Sequence, residues 1–152
     1  MRVSLKEFLN TGQLDDLRVG MPPEQVVQLL GDPDMLGGTS RKYHRHSIYK
    51  YGSLELHFAR ELPFSCVGIY IEYPFDGSPI RLPPSFEVED WDLTRACSRV
   101  DVERYLKSNR ISYENARQTG LTQELIIRPG GVRLHFDEGG PLQALSVSAS
   151  NR

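Results

Sequence analysis

Four histidines, His44, His46, His57 and His135, are the residues of this chain best suited to metal coordination or proton transfer. His44 and His46 stand two apart, a spacing that would set both on one face of a strand. If His57 and His135 lie beside them, the imidazoles form a candidate site for zinc or another transition metal. No compact ligand pair such as H-E-x-x-H accompanies them, so surface histidines on strands are the simpler reading and metal or small-molecule binding the alternative. No cofactor is expected. Nucleophilic chemistry has less to work with. There is no G-x-S-x-G elbow, and the run "CVGIYIE" predicts a buried, unactivated Cys66 thiol. Cys97 stands near a helix start and shares no C-x-x-C spacing with Cys66. Neighbouring carboxylates, Asp15 with Asp16 and Glu89 with Asp90, have nothing to push their pKa values apart. "GDPDMLGG" lacks the Gly-Lys-Ser/Thr of a phosphate loop and follows a helix where such a loop would precede one. An enzyme is not expected.

The stretch "EVEDWD", Glu87 to Asp92, sets four carboxylates around the only tryptophan. Trp91 with Glu89 and Asp90 is a candidate anchor for a charge-steered contact with a basic protein, such as a toxic enzyme. The competing reading has Trp91 plugging a crevice between two halves of the fold while the acids stay in water. Charge bounds the partners further. Eighteen Lys and Arg against 20 Asp and Glu leave a net charge of −2, without the basic stripe that marks nucleic-acid binding, and "RKYHRH" is a single short basic run. The N-terminus shows no apolar run behind a basic start, and no stretch approaches the ~20 apolar residues of a membrane span, so a soluble cytoplasmic protein is expected.

These residues need elements to position them, and the chain supplies candidates twice over. Ser4 can cap a short helix from Leu5 to Leu9, with Glu7 three residues on. In "LRVGMPPEQVVQLLGDP", Pro22 and Pro23 preset the first turn, Glu24 suits the positive helix end, and Val26, Val27, Leu29 and Leu30 supply a buried side that "GDP" terminates. "RKYHRHSIYKYG", "SLELHFA" and "CVGIYIEYP" then read as an antiparallel meander. Residues 77–95 form a Pro-rich acidic linker, extended and not helical. Beyond it Ser98 and Asp101 precede a helix with Val102, Tyr105 and Leu106 on one side, followed by the strand candidates "ISYENAR", "TQELIIRP", "GVRLHFD" and "LQALSVSA". Val132, Leu134 and Phe136 echo Leu54, Leu56 and Phe58. Leu145 and Val147 echo Ile69 and Ile71.

The expected fold class is α+β: two tandem helix-plus-antiparallel-meander units, 1–76 and 96–152, with the helices packed on one face of the sheet. The two units can also close into one compact domain. The strict alternation then sends Glu55, His57, Tyr70, Glu72, Arg133 and His135 to the opposite, open face. That mixture of aromatic, imidazole and charged groups suits a protein contact. The segment Leu17 to Pro33 resembles the G-M-(T/S)-x-x-x-V-x-x-x-L-G-x-P signature of the SmpA/OmlA lipoprotein family, and the twofold helix-then-sheet pattern is similar to that of the β-lactamase inhibitor proteins. The resemblance implies a scaffold acting through protein–protein contacts. The expected function is non-enzymatic protein binding, as an inhibitor or immunity-type protein, through the open face and the acidic linker.

Overall fold

The computed structural model describes residues 1–116, 123–137 and 140–149. Among them the chain forms three α-helices, an eight-stranded antiparallel sheet and a separate parallel pair of strands, an α+β fold in which sheet predominates. The first half runs β1 (Arg2–Ser4), α1 (Leu5–Thr11), α2 (Pro23–Leu30), β2 (Met35–Gly37), β3 (Ile48–Tyr51), β4 (Leu54–Phe58) and β5 (Cys66–Glu72). After β6 (Glu87–Glu89) come α3 (Arg99–Ser108), β7 (Tyr113–Asn115), β8 (Gln123–Ile127), β9 (Val132–Phe136) and β10 (Leu142–Ser148). Arg117 and Thr122, at the ends of two expected strands, lie outside the described residues.

Each helix begins where its capping chemistry dictates. The Ser4 hydroxyl accepts from the Glu7 N–H at 3.1 Å, satisfying one of the orphan donors of α1. Ser98 and Asp101 close a reciprocal capping box on α3. Helix α2 starts with Pro23 in its first turn and stops at Gly31, whose φ of +83° an L side chain resists.

The large sheet is ordered β2-β3-β4-β5-β10-β9-β8-β7, so the last strand in chain order lies in its middle. Register aligns one apolar row across five strands: Leu54, Ile71, Leu145, Leu134 and Leu125, all fully buried. Phe8 and Leu9 of α1, Val26 of α2, and Val102 and Leu106 of α3 join the same hydrophobic cluster. Helix α1 reaches the far half of the sheet, and its C-terminal Gly12 lies against Gly130 in the β8–β9 turn.

Two features depart from the sequence expectation. "RKYHRHSIYKYG" is not one strand, since the ladder begins only at Ile48. Residues 41–44 form a turn closed by a Ser40–Arg45 bridge. Ser40 drives this locally: its carbonyl accepts from His44 N–H at 2.9 Å and its hydroxyl from Tyr43 N–H at 3.3 Å, offering the backbone an alternative to the sheet. The 77–95 segment is extended, as expected, but part of it is β6, which pairs in parallel with β1, with Val3 opposite Val88. Two three-residue strands with one apolar residue apiece carry no periodicity to detect.

Candidate functional site

The face of the sheet opposite the core is built by the same alternation that makes the core. One cross-strand row runs Lys50, Glu55, Tyr70, Ser146 and Arg133. Beside it, His57 pairs with Gly68 on one flank, and Glu72, Ala144, His135 and Glu124 line up on the other. All six residues that the alternation assigns to this face are therefore brought together. Their side chains hold one another. Lys50 Nζ lies 2.9 Å from Glu72 and 3.8 Å from Glu55, while His57 Nε2 meets Glu55 Oε1 at 2.6 Å. The His57 ring packs on Tyr70 with centroids 4.6 Å apart. Tyr70 lies down over Gly68, where a Cβ would come within 2.8 Å of its ring, so that glycine makes the room.

On the other flank Glu124 is the organiser. One carboxylate oxygen accepts from Arg133 at 2.9 Å and the other from His135 Nδ1 at 3.1 Å. An ionised carboxylate only accepts, so Nδ1 carries the ring proton, and the Ser146 hydroxyl donates to Nε2 at 2.7 Å. Ser146 is buried by this arrangement, at 5% exposure. His135 has its pKa lowered chiefly by desolvation, with Arg133 adding to the fall and Glu124 opposing it.

A folded-state pKa below the unfolded value means the neutral ring contributes stability above the unfolded pKa of about 6.5, and that this is lost as pH falls through the folded value. Glu124→Gln removes the main upward pull. The NMR titration midpoint of His135 is therefore expected to fall further in that variant, with the acid loss of stability starting at the same pH but extending lower and growing larger. A midpoint at or above that of the wild type would contradict the network.

Trp91 stands elsewhere. Its ring stacks on Phe8 with centroids 6.3 Å apart, and its Nε1–H donates to the Tyr73 hydroxyl at 3.1 Å. Both partners are buried in the core, so Trp91 sits half-buried on the helix side of the sheet. Glu89 and Asp90 are exposed beside it, and Arg2 lies 3.6 Å from each of Glu87 and Glu89. The open face and the acidic segment are thus two surfaces on opposite sides of the sheet, not one.

The four histidines are also divided. His57 and His135 flank the open face, whereas His44 occupies the 41–44 turn at φ +51° and His46 follows it, with Nδ1 3.2 Å from Thr39 Oγ1. The shared strand face expected of His44 and His46 does not exist, because the turn replaces the strand. Among the described residues no group of three or more His, Cys, Asp or Glu side chains is placed to hold a metal ion. Cys66 is buried, which pushes its thiol up to about 11, and both cysteines are free.

Glu124, Ser146 and Lys50 complete the site, and none was singled out from the sequence. Their signal was the parity that assigned the other six, since each lies at an open-face position of its strand. Compared with known protein families, with characterised proteins and with solved structures, the chain gives no match. No helix of the described residues is long and apolar enough to cross a membrane.

Proposed function

We propose that this chain is a non-enzymatic protein-binding module, an inhibitor or immunity-type protein that acts in the cytoplasm and covers a basic enzyme or toxin with the open face of its sheet. The observation that carries this reading is the prebuilt network around Tyr70. An aromatic ring and two imidazoles are held among paired charges before any partner arrives, so little side-chain freedom remains to be lost on docking. Tyrosine and arginine are the types that anchor contacts of this kind. Three carboxylates, Glu55, Glu72 and Glu124, against Lys50 and Arg133 give the face an acidic balance that suits a basic partner.

A tandem origin fits the topology. Strands β2–β5 and β7–β10 are each consecutive neighbours, the two "LHF" strands β4 and β9 flank the centre, and β5 meets β10 there.

The test is capture by the immobilised protein from a lysate of its own source, at low and at moderate salt. A salt-weakened partner of wild-type protein is expected to lose about tenfold or more in retention with Tyr70→Ala. Because Tyr70 lies on the surface over Gly68, the thermal midpoint should move by no more than a few degrees. Retention that survives Tyr70→Ala combined with Arg133→Glu would remove the face from the contact.

A further inference from the structure

Phe75 is the most exposed large apolar side chain among the described residues, at 89%, yet it does not hang free. The Arg95 guanidinium carbon sits 4.5 Å from its ring centroid. Arg95 in turn is only 10% exposed and donates to Asp137 at 2.6 Å. One face of the ring therefore rests on an anchored cation while the other is bare. An exposed aromatic whose orientation is fixed in advance loses little entropy when it is covered.

Phe75, Glu72, Ala144, Lys50 and Arg81 line one open groove. The part of it that carries Arg81 is built too. The Arg81 N–H donates to the Ser53 hydroxyl at 3.0 Å and its carbonyl accepts from Ser53 N–H at 2.7 Å, which straps the segment to the β3–β4 turn. The strap passes so close that a Cβ on Gly52, at φ +59°, would lie 2.5 Å from the Arg81 carbonyl oxygen. The other two groove cations are matched, Lys50 by Glu72 and Arg95 by Asp137. Arg81 is exposed and in no salt bridge with a described residue, although its charge reaches Asp76.

We infer that this groove docks an extended segment of a partner protein, one that lays an apolar side chain on the bare face of Phe75 and brings a carboxylate to Arg81. The inference rests on the protein-binding reading above, because Lys50, Glu72 and Ala144 belong to both surfaces and the segment continues the same contact around the end of the sheet. A lipid surface fits less well, since Glu72 and Asp76 flank the aromatic and oppose anionic headgroups.

Phage-displayed random linear peptides selected on the wild-type protein provide the probe, with one enriched peptide synthesised and titrated by fluorescence anisotropy. Enriched sequences are expected to combine Asp or Glu with a large apolar residue. Affinity should fall about tenfold or more with Phe75→Ala and with Arg81→Glu, and stay within about twofold with Tyr70→Ala. Both substituted side chains are exposed, so circular dichroism melts should overlay the wild type. Peptides without that composition, or affinity unmoved by Phe75→Ala, overturn the groove. Phe75-dependent binding to phosphatidylcholine vesicles in place of peptide overturns it in favour of lipid. Peptide loss on Tyr70→Ala alone also overturns it, while leaving the open-face reading standing. Groove-dependent peptide binding alongside lysate capture that survives Tyr70→Ala combined with Arg133→Glu upholds the groove and fails the face.

Discussion

Gly130→Ala is expected to destabilise the protein by about 2–4 kcal/mol, because the added methyl has nowhere to go. A Cβ there would lie 2.4 Å from the Leu9 carbonyl oxygen, 2.8 Å from the Gly12 amide nitrogen and 3.0 Å from the Asn10 carbonyl carbon. All three are backbone atoms at the end of α1, so no rotamer change relieves the contact. The approach is reciprocal, for a Cβ on Gly12 would meet the Gly130 carbonyl oxygen at 2.5 Å, and Gly12 holds φ at +68°. The two glycines let a helix end touch a hairpin turn with no side chain between them. Gly37→Ala is the control: it needs no positive φ and the added carbon would meet Ile48 Cβ at an ordinary 3.6 Å, so stability should change by less than about 1 kcal/mol. Urea unfolding of both variants measures the difference. Equal losses would mean that α1 does not sit on the β8–β9 turn.

Leu145→Ala should cost about 3–5 kcal/mol, the upper range for a buried leucine. Leu145 is fully buried between Ile71 on β5 and Leu134 on β9, in the row that runs from Leu54 to Leu125. Neighbours fixed in two ladders have little freedom to collapse into the vacancy, so both the transfer and the cavity contributions should be felt. The same substitution tests how the two halves of the sheet are joined. If β5 and β10 bind them into one cooperative unit, hydrogen exchange at Leu56 in β4 and at Leu134 in β9 should accelerate together, with a single unfolding transition. Acceleration confined to β9 and β10 would show halves that open separately.

The parts of this fold legible in the sequence are those whose information is local. Ser98 three residues before Asp101 specifies a capping box, and Leu54, Leu56 and Phe58 at a period of two specify a buried face, whatever else the chain does. The open face followed from the same parity, which is why Glu55, His57, Tyr70, Glu72, Arg133 and His135 could be placed together without coordinates. Contacts set by three-dimensional closure left no such trace. Arg95 reaches Asp137 and Phe75 across spans with no spacing rule, and Glu124 becomes the hub of a network only when β8 lies beside β9. Trp91 could be weighed as an anchor or a plug, and its stacking on Phe8 is a matter of packing that no motif announces. His44 and His46 misled because basic and aromatic residues at strand-like spacing were overridden by one serine bonding its own backbone.

The central position of β10 bears on how the protein is made. Strands β2 to β5 leave the ribosome well before their central neighbour, and the edge of β5 that β10 will occupy waits for about 70 residues of further synthesis. During that interval the nascent chain carries an unsatisfied row of backbone donors and acceptors at the heart of its future sheet, the kind of edge that chaperones shield and that mispairs when crowded. Tyr70 and Ser146 stand opposite each other only across that closure. The open face is consequently completed only when β10 arrives: Lys50, Glu55, His57, Tyr70 and Glu72 already share the earlier strands, whereas Ser146, Arg133, His135 and Glu124 join them only then.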